Sequence, residues 1–404
     1  MFGFQLIGAL ADSVGMESPR PLSLTLRFGA VLILIVLLLQ IRLHVKNNLA
    51  GTAFRIGLGF LLFYGLHLVL KSQYPEFPLR LDRFEYLGYF VLFAFIPFFA
   101  AAFACREKVF DQLFLVVTLI TIAIIVVYLS VYSVDAIRGA RYRPFDSVNS
   151  IGLGYTGLAA ATLAAWRLFV RKTMSGYRLV FVPMMLGGLT LALLSGERQV
   201  FLSLVVTTIL FLYRLPGKSG FEKAARRIVF CSLVGLFALI LFHTDMFHNT
   251  FERVQGILET IKGGGEKRLA GWTEAVLIFV HQPIIGGPIE LPSDGSYPHN
   301  IILEAFMVTG IIGGPLFLLF FLTMARLAFI VFRFSSFGWI AIFHYQVAIS
   351  ALFSGALYSS ERYWISAGLV ISAYRLADIR AARLHHLKNC VGGFCNTKYV
   401  GIYV

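Results

Sequence analysis

The apolar residues of this chain fall into blocks close to 20 residues long, each separated from the next by a short polar segment. A helix of that length crosses about 30 Å of hydrocarbon, and inside lipid only helices or closed barrels pair every backbone N–H and C=O. Composition agrees: of 404 residues 58% are hydrophobic and 14% charged, too few charges for a soluble domain to cover its own core. The expected fold is all-α, a polytopic transmembrane helical bundle forming one integral membrane domain over 1–404. Eleven spans are read, near 22–41, 51–70, 86–105, 110–132, 151–170, 178–194, 199–214, 228–243, 300–325, 337–357 and 363–378. The sixth, seventh, eighth and eleventh are short for a perpendicular crossing. Residues 1–21, interrupted by Asp12, Glu17 and Pro19, read as an interfacial or partial helix, and Met1 to Leu10 lack the features of a cleavable signal peptide.

Orientation follows from charge. With the tail at 379–404 in the cytoplasm, 21 of the 35 lysines and arginines fall on the cytoplasmic side, as the positive-inside rule requires. The net charge of +14 is then mostly membrane anchoring, with membrane lipids as partners and no nucleic acid. The outside minority needs another reason. Arg138, Arg141 and Arg143 crowd one short loop, Arg198 stands at the mouth of a hairpin, and Lys267 and Arg268 lie in the long outer loop at 244–299. Such a cluster suits an anionic ligand. Within that loop, Phe251, Val254, Leu258 and Ile261, then Leu269, Trp272, Val276 and Phe279, recur at helical spacing on either side of Gly263-Gly264-Gly265. Two amphipathic helices on the membrane face are expected, with Trp272 at headgroup depth.

Three residues stand out. Arg198, in Ser195-Gly196-Glu197-Arg198-Gln199, is either a turn residue solvated or paired with Glu197, or a grip on phosphate at the membrane surface. Guanidinium suits phosphate because it is always charged and bonds two oxygens at once. Arg268 has the same choice between Glu266 and an external anion, and two arginines on one face suit a diphosphate. His299, ahead of Asn300 and a long apolar span, either caps that span or takes a proton near neutral pH. No metal site is expected: the outer acids are spread singly, and His385, His386, Cys390 and Cys395 in the tail match no zinc spacing. No cofactor is expected either.

The stretch from Arg268 to Gly313 resembles the signature region of the O-antigen ligase and polymerase superfamily of bacterial membrane glycosyltransferases. The matching residues are Arg268, Trp272, Pro283-Ile284-Ile285-Gly286-Gly287, and His299-Asn300 followed after nine residues by Gly310 and Gly313. Arg198 after its Ser-Gly turn matches a second family position, and Arg138 through Asn149 and Gly152 is similar to a third. The resemblance implies a metal-independent, inverting glycosyltransferase of the GT-C type in the bacterial inner membrane, working at the periplasmic face. It implies a donor glycan on undecaprenyl diphosphate, held by Arg198 and Arg268, with His299 as general base on an acceptor hydroxyl. Lys267, Arg138, Arg141, Arg143, Asn300 and Trp272 are expected to help bind substrate.

Only 30 residues separate Arg268 from His299, and eleven spans stand where twelve are common in the family. The compact loop favours a repeat-unit polymerase, whose acceptor is another lipid-linked glycan. The alternative is a ligase, whose acceptor is lipid A core. A transporter or flippase of an anionic lipid is the reading of another class; it needs polar residues along a midplane path, and these spans are poor in charge.

Overall fold

A computed structural model of the chain describes residues 48–71, 82–130, 137–138, 141–142, 150–170, 178–214, 267–293 and 295–391. The helices are α1 (Leu49–Lys71), α2 (Arg83–Phe90), α3 (Ile96–Phe103), α4 (Glu107–Ser130), α5 (Ser150–Ala165), α6 (Arg178–Leu194), α7 (Arg198–Arg214), α8 (Lys267–His281), α9 (Ile301–Phe334), α10 (Gly338–Ser354) and α11 (Glu361–Val391). A π-helical turn, Val91–Phe95, joins α2 to α3, and another, Trp166–Val170, extends α5. The one sheet among the described residues is a ribbon of two-residue strands, β1 (Ile137–Arg138) and β2 (Arg141–Tyr142), with Arg138 opposite Arg141.

Among the described residues, five helical segments are long and apolar enough to cross a membrane: Leu49–Lys71, Phe84–Phe103, Glu107–Tyr128, Ser150–Val170 and Ile301–Phe334. Leu179–Leu194 and Gly338–Ser354 are shorter apolar helices. The molecule is a helical bundle of the multi-pass membrane type. The expected spans at 22–41 and 228–243, and the amphipathic helix beginning at Phe251, lie outside the described residues. The last span runs on past its expected end at 378, so the start of the expected tail is a continuation of α11 to Val391.

Contacts at helix ends sort the bundle into two poles. At one, Asn48 donates to Asp378 at 3.3 Å, Arg380 pairs with Glu107 and donates to Ser336, and Arg214 donates to the Arg333 carbonyl. At the other, Ser150 donates to Glu197 at 2.6 Å, Gln199 to Ser354 at 3.1 Å, and Tyr86 to Glu290. Every boundary at the first pole is one that the charge count gives to the cytoplasm. Between the poles the core is aromatic: Phe60, Phe98, Phe317, Phe320 and Trp364 bring α1, α3, α9 and α11 together, with Phe320 stacked on Trp364 at 5.7 Å. Helices α5 and α6 approach through small residues instead. A Cβ on Gly157 would stand 2.5 Å from the Gly188 carbonyl oxygen, and one on Gly188 2.6 Å from that of Gly157, the backbone approach that small residues permit between membrane helices.

The expected span at 300–325 is not one straight helix. Gly310 adopts φ 62° and ψ −154°, breaking α9 after nine residues. Glu304 meets Tyr64 of α1 while Gly313, beyond the break, lies against Phe63, so the two parts of α9 run side by side. The ring of Phe306 comes within 2.5 Å of a Cβ placed on Gly314; a straight helix would hold those positions about 12 Å apart. The freed backbone groups pair with the turn after Pro283: Ile311 N donates to the Pro283 carbonyl at 2.8 Å, and Gly287 N to that of Met307 at 2.6 Å. Both glycines are required. Gly286 has φ 73°, and a Cβ there would meet Val308 backbone at 2.4 Å; one on Gly310 would meet the Ile284 oxygen at 2.3 Å.

Gly310→Ala is therefore expected to destabilise the protein by about 2–5 kcal/mol, combining a backbone region that only glycine populates with a clash against main chain. Thermal unfolding of the purified variant reads this directly. An unfolding temperature equal to that of the natural protein would mean that the break is not built as described.

Candidate functional site

His299 enters α9 with φ 55°, the one positive value at a non-glycine position among the described residues. Such a backbone costs about 1–2 kcal/mol and persists where the surroundings enforce it, often at functional sites. Two neighbours hold it. The ring of Tyr297 lies 4.4 Å from the imidazole, centre to centre. Asn300 caps the helix, its Oδ1 accepting from Ile302 N at 3.0 Å and Leu303 N at 3.1 Å. The side chain that caps the helix is thus that of Asn300. Asn300 itself, expected among the substrate contacts, has its carbonyl oxygen engaged by the helix end.

Arg198 opens α7 just past Gly196, whose φ of 62° makes the hairpin turn. Its side chain is exposed, whereas Glu197 beside it is buried and accepts from Ser150. Of the Glu197–Arg198 turn, the acid is therefore buried within the bundle and the arginine lies at its surface. Gln199 donates to Ser354 at 3.1 Å, and the Tyr155 hydroxyl meets Ser203 at 3.0 Å. The end of α7 that carries Arg198 is thereby fixed to α5 and α10.

Lys267 and Arg268 start α8, with Arg268 half-buried. The helix forms where an amphipathic one is expected, but its buried face differs. Ala275 is 2% exposed and Ile278 packs on Gly287, while Leu269 and Val276 are exposed. A helix lying at the membrane surface has two apolar environments, bundle and lipid, so one stripe does not mark its inner face. Trp272 is on that inner side, its ring 6.2 Å from Phe353. Glu274 accepts from the Ser293 amide at 3.0 Å and ties the loop before His299 to α8.

The three segments converge on one corner, Phe353 to Tyr358, between α10 and α11. Phe353 takes Trp272, Ser354 takes Gln199, and Tyr358 packs on Tyr297, which in turn packs on His299. Sequence reasoning singled out nothing in this corner. It also passed over Glu304, which is fully buried and accepts from the Tyr64 hydroxyl at 2.8 Å and from Leu357 N at 2.8 Å. A lone carboxylate within an apolar span was the available signal. Beside it, Glu290 accepts from Tyr86, whose ring lies 4.9 Å from Tyr358. Burial, and next the Glu304 carboxylate, push the Tyr358 phenol above its ordinary value, so it stays protonated.

The ribbon places Arg138 across from Arg141; Arg143 lies outside the described residues. This corner thus joins the supports of two guanidinium groups and an imidazole held in a strained backbone. Guanidinium groups suit an anion, and an imidazole can take a proton near neutral pH. A scan of family models finds no match to the chain, and a search of the curated proteins finds none either.

Proposed function

We propose that the protein is a bacterial inner-membrane glycosyltransferase of the GT-C type, moving a glycan from undecaprenyl diphosphate to an acceptor hydroxyl at the periplasmic face. The observation that carries this reading is the convergence of the Arg198, Arg268 and His299 segments on the Phe353–Tyr358 corner, at the pole away from the anchoring charge. The resemblance of Arg268 to Gly313 to the ligase and polymerase superfamily supplies the substrate class.

In this reading the acceptor oxygen attacks the anomeric carbon from the face opposite the diphosphate, so the configuration inverts. His299 takes the hydroxyl proton as the new C–O bond forms. The bond to the diphosphate oxygen breaks, its electron pair leaves on undecaprenyl diphosphate, and Arg198 and Arg268 stabilise that growing charge. Preplaced cations aimed at developing charge are usually the largest catalytic contribution, and the guanidiniums act as such without a metal ion. Lys267, Arg138 and Arg141 are assigned to the same substrate by the resemblance, as further positive charge for an incoming anion.

The short 269–298 segment favours a polymerase, with a second lipid-linked repeat unit as acceptor, over a ligase acting on lipid A core. A cell lacking the gene separates the two. Loss of a polymerase leaves single repeat units attached to the core, whereas loss of a ligase leaves long chains on undecaprenyl diphosphate. The first pattern is expected; the second would replace the polymerase reading by the ligase one.

A further inference from the structure

Lys71 ends α1, and its side chain reaches the break in α9. Its ammonium donates to three main-chain carbonyls: Ile285 at 3.2 Å, Gly287 and Val308. An ammonium has three N–H donors, so the number of partners matches. Each oxygen has a reason to be available. The Val308 carbonyl loses its helical partner because the chain leaves the helix at Gly310. Ile285 and Gly287 belong to the turn after Pro283, where Gly286 at φ 73° brings the chain close against Val308. The ammonium also sits at the C-terminal end of the nine-residue first part of α9, the negative end of its dipole.

We infer that the break in α9 is a cation site walled by the Ile285, Gly287 and Val308 carbonyls, occupied from within by the Lys71 ammonium, and that this tether sets the short helix on which His299 stands. The helix from Ile301 to Thr309 is held at its start by the Asn300 cap and at its end by Lys71. Over about 13 Å it behaves as a rod, so releasing the far end tilts the end next to the imidazole. Lys71 is a positioning residue: it touches the helix, not the substrate. The cation site stands independently of the proposed reaction, while its effect on His299 rests on that reading.

Lys71→Ala in the full-length, detergent-purified protein tests both parts. The n-propylammonium ion replaces the three carbons and the ammonium that the substitution removes; tetramethylammonium carries the same charge without an N–H donor. The variant is expected to unfold several degrees below the natural protein. Propylammonium is expected to raise its unfolding temperature more than that of the natural protein, and tetramethylammonium is not. Lys71→Met, which refills the apolar stem alone, is expected to remain destabilised. Equal action of the two ammonium ions on Lys71→Ala, or a Lys71→Met protein as stable as the natural one, overturns the cation site. For transfer, a loss of roughly 10²-fold in kcat with the donor KM held is expected, as for a displaced catalytic group, with partial recovery in propylammonium. Rescue of stability without rescue of transfer would overturn the link to His299. Stability rescue together with no transfer by the natural protein would overturn the proposed function and leave the cation site standing.

Discussion

Replacing His299 by glycine is expected to lower glycan transfer by about 10²–10⁴-fold, the usual contribution of a positioned general base, while leaving the fold close to unchanged. Stability is the informative half. At φ 55° glycine removes about 1–2 kcal/mol of backbone strain. It forfeits about 0.4–1 kcal/mol through a freer unfolded chain and about 0.5–1.5 kcal/mol of contact with the Tyr297 ring. These nearly cancel. Transfer activity and thermal unfolding measured on the same preparation should therefore part company. A folded His299→Gly protein with full activity would remove the imidazole from the mechanism.

The second large effect belongs to the arginines. Arg198→Ala and Arg268→Ala are each expected to lower kcat/KM by about 10²–10³-fold, as loss of one preorganised charge partner does. In the proposed reaction both act on one leaving diphosphate, so the double variant should fall short of the product of the single losses. Lysine at either position should recover part of the rate only, since ammonium lacks the planar fork that bonds two phosphate oxygens. Steady-state kinetics over donor concentration reads all of this. Full transfer by either alanine variant, correctly inserted, would take that arginine out of the site.

How much of this was legible in the sequence follows from the range of the interactions involved. Span lengths are local, and α1, α4 and α5 lie close to where apolar runs place them. Arg198 and Arg268 were singled out because the charge count puts them on the side with no anchoring task, and His299 because it stands before Asn300 and a long apolar run. Gly310 was legible as a spacing and not as a break, because its conformation depends on carbonyls of Pro283 and Ile284, which contact it only in the folded chain. The Phe353–Tyr358 corner was silent for the same reason. Its meaning lies in its partners, Trp272, Gln199, Glu304 and Tyr297, drawn from four other segments. Glu304 was legible in principle, as a single acid among apolar neighbours, but its role needs Tyr64, 240 residues away. The face of α8 was misread because lipid and bundle both reward apolar residues there.

The most direct measurement is transfer by the purified protein from a defined undecaprenyl-diphosphate glycan, with a lipid-linked glycan and lipid A core offered side by side as acceptors. Elongation of the lipid-linked glycan is expected, with an inverted anomeric centre and one undecaprenyl diphosphate released per linkage. The His299→Gly protein is expected to bind the donor and not turn it over. Folded natural protein that consumes neither acceptor, or a His299→Gly protein that elongates the chain at the natural rate, would contradict the proposed function.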